Sequence, residues 1–140
     1  MTRNKLLILP ALVCFTLAAA SSAQERTRPG MWENTVTAGG QTSARSHCVT
    51  ASDAAGANGP VSAIRASAEK AAAKGGACTL QGFKMEGNTK TESLRCGMTS
   101  YSNSTVFHDG NSFETTTTMT RAGVAKVTLI KGRRTGDCPP

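Results

Sequence analysis

The 140 residues carry a formal net charge of +7, yet only 39% are hydrophobic and 4% aromatic, which is material for one small domain with a modest core. The cations are scattered except for Lys131, Arg133 and Arg134, and no aromatic residue interleaves with that trio. This excludes a base-stacking nucleic-acid surface and leaves at most a weak attraction to anionic lipid or polysaccharide.

The start of the chain reads as a secretory signal peptide. Arg3 and Lys5 precede an apolar run from Leu6 to Ala20, and Ser21-Ser22-Ala23 supplies the small residues of a cleavage site. The run is too short for a comfortable membrane span, which wants about 20 apolar residues. Cys14 sits mid-run after Val13, so it reads as an apolar residue of the discarded peptide and not as a lipidation site. Cleavage after Ala23 removes 23 of 140 residues and leaves 117. Two of the 16 cations leave with the peptide and all 9 acids stay, so the mature charge is +5. A periplasmic or secreted location follows, with no stable membrane insertion after cleavage.

Cys48, Cys78, Cys96 and Cys138 remain, an even number in an oxidising compartment. Two disulfides are expected, although four cysteines allow three pairings. No Cys-x-x-Cys spacing exists and His47 and His108 are far apart, so neither a metal site nor a cofactor is expected.

Pro29-Gly30 punctuates the chain before a strand-forming run that ends at Gly39-Gly40. A two-residue turn there sets Trp32 opposite His47 and Met31 opposite Cys48. Trp32, the single indole, is expected as a core anchor, with a sheet-surface ligand platform as the alternative. His47 and Cys48 are adjacent on a strand and point to opposite faces, so they cannot easily share a proton. From Ala51 to Gly76 the chain is rich in Ala, broken by Gly56, Gly59 and Pro60. Thr50-Ala51-Ser52-Asp53 has capping-box spacing with Asp in place of Glu or Gln. A helix is expected over about residues 61–74, with Pro60 at its first turn and Gly75 past its end. Its apolar stripe, Val61, Ile64, Ala68 and Ala71, is thin, too small for a membrane anchor.

Cys78 to Cys96 reads as two strand-like runs around Glu86-Gly87-Asn88. A turn centred on Gly87 places Cys78 opposite Cys96 and Leu80 opposite Leu94, at separations a disulfide can bridge with modest adjustment. The same register puts Phe83 on the wrong face and Lys84 opposite Lys90. A bulge at Gly82 would repair the first. Pairing Cys78 with Cys96 leaves Cys48 for Cys138, and the alternative joins Cys48 to Cys78 across the helix. On the chain-entropy model the long loop contributes roughly 4–5 kcal/mol and the hairpin loop about 3.

Asp109-Gly110 marks a further hairpin, joining residues 104–108 to 111–120. A two-residue loop there sets Val106 against Phe113. Phe113, Thr115, Thr117 and Met119 share one face of a half-buried strand, and the Thr run is a β-former. Arg121-Ala122-Gly123 turns into a last strand over 124–132, where Ala125, Val127 and Leu129 alternate with Lys126, Thr128 and Ile130. Asn103-Ser104-Thr105 matches a glycosylation sequon whose use depends on the host.

Pro29-Gly30-Met31-Trp32-Glu33, Cys48-Val49-Thr50, the Cys78–Cys96 segment and Arg134-Thr135-Gly136-Asp137-Cys138-Pro139 follow the signal peptide in that order. In this the chain resembles the exported bacterial proteins grouped as domain-of-unknown-function family 3617, with their Pro-Gly-Leu-Trp-Glu start and Gly-Asp-Cys end. Met31 replaces the usual Leu, and Thr-Ala-Ser-Asp replaces the commoner Thr-Pro-Glu-Asp. The resemblance implies a small periplasmic or secreted domain and supplies no catalytic residue.

The expected fold is mainly β: an antiparallel meander of about six or seven strands, as a curved sheet or open barrel, with one inserted helix. No convergent acid, base or nucleophile set exists and no Gly-x-Ser-x-Gly elbow, so the favoured reading is non-enzymatic binding of an envelope protein or small ligand. A carrier of lipid or another small apolar ligand is the alternative, and a hydrolase the third reading. Export itself is checked by intact mass: protein recovered from an oxidising compartment should begin at Gln24, and a mass retaining Met1–Ala23 would contradict cleavage.

Overall fold

The computed structural model describes residues 25–74 and 78–140. The expected signal peptide, with Cys14, and the expected helix stop at Gly75 lie outside them. Strands β1 (Gly30–Ala38) and β2 (Gln41–Val49) precede helices α1 (Ala51–Asn58) and α2 (Val61–Lys74). Strands β3 (Cys78–Glu86), β4 (Thr89–Cys96), β5 (Thr99–His108), β6 (Ser112–Arg121) and β7 (Val124–Gly136) follow.

All seven strands form one antiparallel sheet in the order β2-β1-β7-β6-β5-β4-β3. The helices carry the chain from the β2 edge to the far edge, and five strands then meander back until β7 lands beside β1. The sheet is open, with β2 and β3 as its two edges. The inserted helical segment is two helices where one was expected. The capping box forms at Thr50 and Asp53, so the stretch before Gly59 also winds.

The first hairpin has the register its Gly39-Gly40 turn dictates, with Trp32 opposite His47 and Met31 opposite Cys48. In the β3–β4 hairpin Cys78 faces Cys96 and Leu80 faces Leu94, and the register then slips by one residue before Gly82. The slip brings Phe83 onto the face of Leu80 and removes the Lys84–Lys90 opposition: Lys84 faces Thr91, and Met85 faces Lys90. Cys78 is bonded to Cys96, and Cys48 to Cys138.

The β5–β6 turn departs from the expected two residues. Phe107 faces Phe113 and Val106 faces Glu114, so the loop is Asp109-Gly110-Asn111. Asp109 and Gly110 take φ of 51° and 68° as such a turn needs, but Asn111 is claimed from both sides. Its N–H donates to His108 O at 3.0 Å, and its carbonyl accepts from the Arg134 N–H at 2.8 Å. Extending β7 to Gly136, beyond the expected end at Gly132, consumes the residue that a tighter turn would have left to β6.

Pairing divides the sheet into two faces. Trp32, Val36, Ile130, Phe113, Met119, Phe107, Tyr101, Leu94, Leu80 and Phe83 share one. The other is largely Ser and Thr, but it also holds Val127 and Leu129, 54% and 44% exposed. The more apolar side of β7 therefore faces outward, because the β1 and β6 pairings align Ile130 with Val36 and Thr115.

Among the described residues the buried apolar side chains are Trp32, 1% exposed, and Ala54. The Trp32 ring stacks on Phe113 with centroids 5.8 Å apart, Phe113 meets Phe107 at 6.4 Å, and the indole N–H donates to Arg28 O at 2.9 Å. Gly132 lies beneath Phe113, where an added Cβ would sit 2.1 Å from the ring. Gly132→Ala should therefore lower stability by about 1–3 kcal/mol through displacement of Phe113 from Trp32. Gly136→Ala, with nothing within 4 Å of the new Cβ, should stay within about 0.5 kcal/mol. Urea unfolding followed by Trp32 fluorescence measures both.

Candidate functional site

The extended segment ahead of β1 works as a strap. Arg26 and Thr27 donate their N–H groups to Asn58 Oδ1 at 2.7 and 3.1 Å, and Asn58 Nδ2 donates to Thr27 O at 2.7 Å. The Arg26 guanidinium donates to Ala57 O and Gly59 O at 3.2 and 3.3 Å, a cation on the carbonyl end of α1. Arg28 N–H then donates to Gly110 O at 2.9 Å. The strap thus links the end of α1 to the β5–β6 turn.

With α1 held at its C-terminus and α2 leading to β3, the two helices lie across part of the apolar face. Between them and the sheet is a cleft of about 730 Å³, within the range of small-molecule sites. Its helical wall includes Ile64, Ala68 and Ala71, three of the four residues of the expected stripe, and its sheet wall includes Leu94 and Cys78. No residue of α2 is buried. Alanine side chains are too short to span the distance to the strands, so the stripe lines a gap instead of sealing it.

One side of the cleft is polar. Lys90 and Glu92 both line it and form an ion pair at 3.3 Å, with side chains 23% and 15% exposed. Asn103 Nδ2 donates to Glu92 Oε1 at 3.3 Å, which fixes the orientation of that amide. Asn103 Oδ1 is buried with no hydrogen-bond partner among the described residues. The neighbouring row of the sheet carries a buried Thr105, whose hydroxyl meets that of Thr115 at 2.9 Å. A polar cluster thus lies beside an apolar trough.

Asp53 also lines the cleft and belongs to the α1 cap. Its carboxylate accepts from the Thr50 hydroxyl at 2.7 Å and from the Thr50 N–H at 3.0 Å. These hydrogen bonds, the hydroxyl first and the backbone second, hold its pKa below the usual aspartate value.

The aromatic, histidine and basic residues singled out from sequence fall elsewhere. Trp32 is a buried anchor under the strap and is no platform. His47 faces the apolar side of the sheet from β2, while His108 lies at the end of β5 on the opposite face. Lys131, Arg133 and Arg134 each meet an acid: Glu114 at 3.2 Å, Glu33 at 3.5 Å, and Asp137. The sequon residue Asn103 has its amide nitrogen engaged by Glu92. Among the described residues no group of three or more His, Cys, Asp or Glu is placed to hold a metal ion. Lys90 and Glu92 gave no sign of a site in sequence, and Asn103 stood out only as a sequon residue. Gly56, Gly59 and Pro60 read as breaks in the Ala-rich stretch, but Asn58, which organises the strap, gave no signal.

A family model described as "Protein of unknown function (DUF3617)" matches residues 27–138. The chain belongs to this family. The match starts within the strap and ends at Cys138, so it takes in the sheet, both helices and both disulfides. No curated protein and no solved structure matches the chain.

The Asp53 cap gives a pH signature. A carboxyl whose folded pKa is lowered contributes stability fully above its unfolded value, and that contribution is lost as pH falls through the folded pKa. The stability difference between the native protein and Asp53→Asn should therefore be constant at neutral pH and shrink below about pH 4. Denaturant unfolding across that range measures it.

Proposed function

We propose that this family member is an exported, non-enzymatic binding protein whose helix–sheet cleft takes a small ligand with an apolar body and a polar group. The observation that carries the reading is helix α2, which has no buried residue yet turns Ile64, Ala68 and Ala71 toward a cleft closed on the other side by Leu94. An apolar body between those walls would bury the stripe, at about 25 cal/mol per Å² removed from water. The Lys90–Glu92 pair, which lines the cleft, supplies both signs of charge for a polar end. Carriage of such a ligand between membranes or enzymes is the role this arrangement suits.

Export is supported by the two disulfides, which persist in oxidising compartments. No helix among the described residues is long and apolar enough to cross a membrane. A non-enzymatic role is supported by the placing of His47 and His108 on opposite faces of the sheet, where they do not converge on one site.

N-phenyl-1-naphthylamine, whose fluorescence rises in apolar surroundings, should bind saturably, and decanoate should displace it. Ala68→Trp fills the cleft and should reduce binding at least tenfold. Leu129→Ser, on the opposite face, should leave it unchanged. Absence of saturable binding, or binding indifferent to Ala68→Trp, would remove the reading.

A further inference from the structure

The two edges of the sheet are not alike. β3 carries the register slip before Gly82, exposes the Lys84–Glu86 ion pair, and packs against α2. Bulges, edge charges and covering helices are the devices that stop a sheet from recruiting another strand. β2 has no bulge and no covering helix, and its one Lys or Arg is Arg45. It pairs with β1 in unbroken register from Gln41 to Val49, contains no proline, and is exposed at every residue from Gln41 to Cys48.

Its free hydrogen-bonding groups can be assigned. The two-residue turn makes Ala38 and Gln41 a narrow, mutually bonded pair, and bonded pairs then alternate along the hairpin. Gln41, Ser43, Arg45 and His47 therefore direct N–H and C=O toward β1. Thr42, Ala44 and Ser46 direct theirs outward. At Cys48 the edge ends, because the disulfide to Cys138 brings the C-terminal segment alongside, with Cys138 Sγ 3.8 Å from Val49 O.

We infer that the occupant of this edge is β2 of a second copy, antiparallel, with Ala44 on the two-fold axis. In that register Thr42 faces Ser46, Ser43 faces Arg45 and Gln41 faces His47. Three narrow pairs form, about six backbone hydrogen bonds in all. The opposed side chains are small or polar, and no cation meets a cation. Sliding the partner by two residues, so that the axis falls on Arg45, sets Arg45 directly against Arg45, a destabilising like-charge pair. Centring on Ser46 instead brings Arg45 against His47 and drives the Cys48–Cys138 bridge into the ladder. Registers toward Cys48 are thus guarded by charge and by the bridge, while centring on Ser43 keeps only two of the three narrow pairs, because Ser46 then falls opposite Gly40 of the turn. The result is a two-fold dimer with a continuous sheet of two chains. The cleft, on β4, lies five strand spacings away, about 24 Å along the sheet, so the dimer does not depend on the ligand reading.

Sedimentation velocity of the mature, oxidised protein tests it. The native protein should sediment as a dimer whose population grows with concentration. Ala44→Pro removes an outward N–H and leaves the β1 ladder intact, so it should give a monomer with native circular dichroism. Ala44→Cys should yield a disulfide-linked dimer on mild oxidation, whereas Thr42→Cys should not, and this decides the matter even if the proline variant fails to fold. A native protein that stays monomeric up to millimolar concentration would overturn the proposal and leave the edge to a different strand. So would a dimer that survives Ala44→Pro in a folded protein, or equal cross-linking through Thr42→Cys.

Discussion

Trp32 is the only large side chain of the described structure that is fully withdrawn from water, and four separate parts of the chain converge on it. Phe113 brings β6 beneath the indole, Gly132 lets Phe113 approach β7, and Phe107 backs Phe113 from β5. Arg28 accepts the indole proton from the strap. An aromatic stack of this kind contributes about 0.5–1.5 kcal/mol per pair beyond the area it buries. In a domain with so little other fully buried apolar surface, that cluster sets the pairing of β1 with β7. It also fixes where the strap crosses and hence where α1 is held.

The remainder of the apolar face is half-open, and this shapes the rest of the molecule. A larger core would have drawn α2 onto the strands, but an alanine stripe offers little area and short reach. The helices are held by other means: the Asn58–Arg26–Thr27 network at one end and the Cys78–Cys96 bridge just beyond the other. The Cys48–Cys138 bridge, whose ends are 90 positions apart, ties β2 to the C-terminal segment and limits the unfolded ensemble. A frame secured at its ends by hydrogen bonds and cystines can tolerate a cleft in its middle.

Local sequence signals translated directly wherever the governing physics was local. Gly39-Gly40 dictated the register of β1 and β2, the Thr50–Asp53 spacing capped α1, and Val61 to Lys74 formed the expected helix. The misplacement of Phe83 by simple alternation was itself the sign of a bulge, and the register slips there. The failures arose where a distant strand competed for the same atoms. Asn111 joined the loop because β7 claimed its carbonyl, and Val106 lost its place opposite Phe113 to Phe107. The cleft residues Lys90 and Glu92 were illegible, since nothing in β4 announces that helices will lie over them.

The sequence by itself determined the strands, most of their turns and the helical insert, because each rests on residues within a few positions of one another, and it showed the family through the order of short motifs along the whole chain. Tertiary structure decided that β7 returns to β1, that the sheet stays open, and which face of β7 looks outward. It also decided that the stripe of α2 borders a cleft. Those outcomes depend on contacts between residues about one hundred positions apart, such as Arg134 with Pro29, whose strength no local pattern encodes.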